Sequence, residues 1–110
     1  MKYSKFDVIV ANFPFIEKIE NAKARPAVVV SSDVYNAETG FVVIAMITSA
    51  KHSRLWGDIK ISDHKISELH SGSIIRMKFA NITQGAILHK LGKLSKADQK
   101  ELEAKMRKIF

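Results

Sequence analysis

Two stretches of this 110-residue chain set chemistry-bearing groups at the ends of apolar runs. In Ala24-Arg25-Pro26-Ala27-Val28-Val29-Val30, three β-branched residues read as a core strand. Pro26, with fixed φ and no N–H, suits the strand's first position and drives Arg25 into an extended conformation. Arg25 then stands on the rim of a sheet with five donors and a permanent charge, a group suited to a phosphate. The second stretch is Thr48-Ser49-Ala50-Lys51-His52-Ser53-Arg54, which follows the apolar run Phe41–Ile47. Its hydroxyls can satisfy turn backbone groups, or they can join a cation in stabilising charge on phosphorus oxygens.

Other chemistry finds little support. The chain has no cysteine, which removes disulfides and thiolate metal sites. His52, His64, His70 and His89 have no metal-binding helical spacing, and there is no nucleophile elbow or glycine-rich phosphate loop. The carboxylates are scattered, so paired magnesium ions are not expected, and neither is any cofactor. Phosphodiester cleavage without metal is feasible on RNA, whose 2′-hydroxyl is its own nucleophile. The protein must then orient that group, move protons and stabilise charge.

A net charge of +7 favours a polyanionic partner. Residues 90–110 hold seven basic against three acidic groups, so four of those charges lie near the C-terminus and also solvate one helix. Length and a 46% hydrophobic content predict one globular domain over 1–110. No run is apolar enough for a signal peptide or a membrane span, and a cytoplasmic location with no membrane partner is expected.

The elements that must carry these groups follow from periodicity. Phe6, Val8 and Val10 alternate as a strand, and Ile16 to Ala24 is read as a long loop beside Arg25, with Lys18 and Lys23 on it. A strand over Pro26–Ser31 precedes one helical turn capped by Ser32 and closed by Gly40. Phe41–Ile47 reads as a strand covered on both faces, and Trp56–Ile61 as a short strand with one wet face. Ser62–Gly72 is polar, with a helical turn around Ile66 and Leu69, and Ser73–Lys78 resumes a strand. Ile87–Leu91 is strand or short helix. Ser95–Phe110 is a helix with Ser95 as N-cap and Asp98 completing a weak capping box; Leu102, Met106 and Ile109 share its apolar face, and Glu101–Lys105 and Glu103–Arg107 are favourable pairs. Short strands with one terminal helix predict a mainly β fold, a small bent antiparallel sheet or partial barrel.

The order Phe6-Asp7-Val8-Ile9-Val10, Phe13-Pro14-Phe15, Ala24-Arg25-Pro26, Ile47-Thr48-Ser49, Ser73-Ile74-Ile75-Arg76 and Leu91-Gly92-Lys93-Leu94-Ser95 resembles the MazF/PemK toxin family over nearly the whole chain. The resemblance implies an SH3-like barrel over about residues 5–92 with a C-terminal helix over about 95–110, a homodimer, a cognate antitoxin, and an endoribonuclease that cuts single-stranded RNA to 2′,3′-cyclic phosphate and 5′-hydroxyl ends. It sets Arg25 and Thr48 on the family's catalytic positions and Arg76 on an arginine implicated in the PemK branch. Lys23, Ser49, Lys51, His52, Arg54 and Lys78 are assigned to RNA binding.

The chain departs from the family at Lys78, where some members carry an acid, and at Asn81-Ile82, where an Arg-Thr pair is common. No carboxylate base carries over, and arginine is a poor base because its pKa lies above about 12. His52, with an ordinary pKa near about 6.5, is the stand-in. Two alternatives keep the fold. One is a CcdB-like gyrase poison acting through the Lys108-Ile109-Phe110 end, and the other is a nucleic-acid-binding member without catalysis.

Overall fold

The computed structural model describes residues 3–12, 24–49, 55–64, 69 and 72–110. The loop expected over Ile16 to Ala24 lies outside them except for Ala24, which is the first residue of β2, and the helical turn around Ile66 lies outside them as well. Six strands form one antiparallel sheet: β1 (Asp7–Asn12), β2 (Ala24–Val29), β3 (Phe41–Thr48), β4 (Ile59–Lys60), β5 (Ile74–Thr83) and β6 (Ile87–Lys93), in the order β4-β5-β3-β2-β1-β6. Helix α1 (Asp33–Thr39) joins β2 to β3, and α2 (Lys96–Ile109) follows β6. The mainly β architecture with a C-terminal helix is the one expected; the sheet is barrel-like but does not close. No described helix is long and apolar enough to cross a membrane.

Both faces of the central strands are buried, which is why β2 and β3 read as nearly continuous apolar runs. Val8, Val28 and Ala45 form one row across β1, β2 and β3, on the face that also holds Ile47, Ile75 and Leu102. Ile9, Ala27, Val29 and Ile44 belong to the core on the opposite face. Successive residues of a strand point to opposite faces, so a run such as Ala27-Val28-Val29 feeds both cores.

Several boundaries differ from the sequence reading. The helix after Ser32 runs for seven residues, two turns in place of one; Ser32 Oγ accepts from Tyr35 N at 3.1 Å, and Gly40 ends it at φ 75°. β5 does not stop at Lys78 but continues to Thr83, because β3 pairs with it at both ends, from Phe41↔Thr83 to Ala45↔Phe79 and again at Ile47↔Ile75 and Thr48↔Ile74. A register shift between Ala45 and Ile47 sets four residue steps of β5, from Ile75 to Phe79, against two of β3. β4 is only Ile59–Lys60, since Trp56 and Gly57 form a turn. Ile87–Lys93 is a strand, paired with β1.

Helix α2 packs Leu102, fully buried, onto the sheet. Ser95 Oγ accepts from Asp98 N at 3.3 Å, as an N-cap should. Asp98 does not reach back to complete the box: its carboxylate accepts from Ser62 N at 3.1 Å and from Ser62 Oγ at 2.8 Å, tying the helix's first turn to the end of β4. The buried stripe also stops short of its expected end. Ile109 is 39% exposed and Phe110 83% exposed, with the Phe110 ring 5.6 Å from that of Phe79. Of the two expected pairs, Glu103–Arg107 is formed at 3.7 Å, and Glu103 also meets Lys5 at 3.4 Å.

Candidate active site

Pro26 decides where the site opens. It is the third residue of β2, not the first, and it sits inside the pairing with β1, opposite Val10. Toward β3 the register runs only over Ala27↔Met46, Val28↔Ala45 and Val29↔Ile44. Having no N–H to donate, Pro26 suits a point where a strand is paired on one side alone. Beyond Ala27 the two strands part, and a cavity of about 400 Å³ occupies the gap.

Val10, Pro26 and Ile47 give this cavity an apolar floor, with Leu69 and Leu91 beside them. Its polar lining is Arg25, Thr48, Ser49 and Ser73. Arg25 of β2 and Thr48 of β3 each lie two residues beyond the last paired residues, Ala27 and Met46. Thr48 in turn pairs with Ile74 of β5, which brings Ser73 to the same end of the sheet. The arrangement joins a guanidinium and three hydroxyls over an apolar floor. Such a site can hold an anion by charge and hydrogen bonds while shedding water from one side.

Arg25, Thr48 and Ser49 thus line one cavity. Ser73, buried at the start of β5, was missed; its neighbours Gly72 and Ile74 carry no signal of a site. Arg76 lies outside the cavity lining. Its Nε donates to Asp58 Oδ1 at 3.2 Å and its Nη2 to Asp58 Oδ2 at 3.0 Å. These hydrogen bonds, with the attraction of the carboxylate, raise the Arg76 pKa above its ordinary value against the opposing effect of burial. Lys78 is exposed, two residues further along β5. Lys23, Lys51, His52 and Arg54 lie outside the described residues. Asn81 accepts a hydrogen bond from the Tyr35 hydroxyl at 2.9 Å and so fastens β5 to α1. Among the described residues no cluster of three histidines or carboxylates could hold a metal ion.

A larger cavity, about 690 Å³, lies between α2 and the sheet near Val43, Met106 and Phe110. Its cations Lys5 and Arg107 both pair with Glu103, and it has a less suitable donor set for a phosphate.

The fold and the cleft define a small, mainly β protein with a cationic, hydroxyl-lined opening where two central strands separate. The chain belongs to the PemK-like, MazF-like toxins of type II toxin-antitoxin systems, whose family model matches residues 4–110. Among solved structures it is similar to a mycobacterial endoribonuclease in complex with its cognate antitoxin, at 13% identity over 96% of this chain and 92% of that one, with a TM-score of 0.76. It is similar to MazF from Deinococcus radiodurans at 18% identity, covering 97% and 94% of the two chains, with a TM-score of 0.74. For the Mycobacterium tuberculosis toxin MazF-mt6 the identity is 16%, the coverage 93% of each chain and the TM-score 0.71. At such identities the likeness is one of fold. No curated protein sequence matches the chain.

Proposed function

We propose that this chain is the toxin of a toxin-antitoxin pair and acts as a metal-independent endoribonuclease on single-stranded RNA. The observation that carries the proposal is the cleft that Arg25 and Thr48 line together, beside Pro26 where the pairing of β2 with β3 ends. The scissile phosphate sits at Arg25, whose charge offsets the negative charge that grows on its oxygens as the 2′-hydroxyl attacks. Thr48 donates its hydroxyl to one of the same oxygens. The new O–P bond closes a 2′,3′-cyclic phosphate as the bond to the 5′-oxygen breaks, and that oxygen takes up a proton. Arg25 keeps its proton at neutral pH, so another group must accept the one from the 2′-hydroxyl. His52 is the residue of suitable chemistry nearby in sequence.

The related structures that are endoribonucleases, one with its antitoxin bound, support this reading and an antitoxin partner. A homodimer is part of the proposal, and light scattering should report twice the chain mass. The decisive experiment incubates purified protein with single-stranded RNA and maps the ends. Cyclic phosphate and 5′-hydroxyl ends are expected, whereas 3′-hydroxyl ends or intact RNA would overturn the mechanism.

A second reading, poisoning of DNA gyrase through the C-terminal end, gains one observation: Ile109 and Phe110 are exposed at the end of α2. Retention of Arg25 and Thr48 around one cleft favours the ribonuclease.

A further inference from the structure

Trp56, the chain's single tryptophan, is 63% exposed, beside Leu55 at 55%. Exposed apolar surface of this size contributes little to the fold, yet the backbone beneath it is held from several directions. Asp58 closes the turn, its carboxylate accepting from Leu55 N at 2.9 Å and its own N–H donating to Leu55 O at 3.2 Å. Arg76 grips the same carboxylate from β5. Gly57 has φ +83°, and a Cβ there would stand 2.7 Å from Met77 Cγ, so the turn sits directly on β5 and tolerates no side chain at this position.

This anchoring gives the indole a fixed backbone against β5. Ile74 pairs with Thr48 at the cleft, and Met77 lies three residues further along β5, at most about 10 Å away even in a fully extended chain. One bound single strand can therefore reach both places. We infer that Trp56 is a base-stacking residue: its face takes an unpaired nucleobase flanking the scissile phosphate. Stacking on a preorganised aromatic ring is the usual way to hold a splayed base, and the choice of base there bears on which RNA is cut. The nature of the ligand rests on the ribonuclease reading.

The test uses the full chain and a pool of single-stranded RNA fully 2′-O-methylated, which binds but lacks the nucleophile. Because only one tryptophan is present, its emission reports this site alone. A saturable change in emission is expected on titration. Trp56→Ala should weaken binding by about tenfold to a hundredfold without altering the dependence on salt, and Trp56→Phe should recover most of the loss. Binding with unchanged emission, or unchanged affinity in Trp56→Ala, would overturn the inference. So would conversion of a dimer to a monomer by Trp56→Ala in light scattering, which would make the patch a contact between copies of the chain. Unmodified RNA separates the two proposals. If it changes the emission but is never cut, stacking stands and the ribonuclease reading falls; if Trp56→Ala cuts it with parental rate and base preference, stacking alone falls.

Discussion

Arg76 holds Asp58 by two hydrogen bonds, Nε to Oδ1 at 3.2 Å and Nη2 to Oδ2 at 3.0 Å, reaching from β5 to the turn that precedes β4. Family resemblance implies a catalytic role for this arginine, but its fork is turned to a carboxylate that closes the Leu55–Asp58 turn. For the proposed ribonuclease, a side chain so engaged is expected to act through the turn it fixes.

Arg76→Gln and Asp58→Asn should therefore behave alike in steady-state cleavage, raising KM severalfold and leaving kcat near its parental value. A loss in kcat confined to Arg76→Gln would restore a direct catalytic role. The raised Arg76 pKa places the sign of any linkage: its contribution to stability is complete below the ordinary arginine value and is lost only as pH rises beyond it, so neutral-range pH profiles should not reflect its titration.

Arg25→Ala should leave the fold intact, because the side chain is exposed on the rim, while cleavage falls by about a hundredfold or more. Thr48→Ala removes one hydroxyl and should have a milder effect. Deleting Ile109 and Phe110 should leave RNA cleavage standing; arrest of growth that survives Arg25→Ala but disappears on this deletion would transfer the activity to the end of α2. Circular dichroism would confirm that each variant is folded.

Cleavage should persist in EDTA. The nucleophile belongs to the RNA, and the proposed charge stabilisation comes from Arg25 and the cleft hydroxyls. Activity abolished by chelation and restored by magnesium would sink the metal-independent mechanism.

Leu102→Ala should destabilise the protein by about 2–5 kcal/mol in denaturant titration, as for loss of a large, fully buried side chain. Asp98→Ala should also destabilise it, since Ser62 N and Oγ would lose their acceptor together. A parental midpoint for Leu102→Ala would mean that α2 contributes little to the core.

Local order in the chain was enough to read the strands that feed both cores, the Ser95 cap of α2 and the placing of Arg25 and Thr48 at strand ends. Each depends on neighbours within a few residues: β-branched runs, a proline, a hydroxyl at a helix start. The sequence could not tell that Pro26 lies within β2, because that depends on β1 extending further along β2 than β3 does. Nor could it place Ser73 in the cleft, turn Asp98 toward Ser62 or engage Arg76 with Asp58. Those contacts join residues 18 to 36 positions apart or more, and only the pairing of strands and the docking of α2 decide which groups meet.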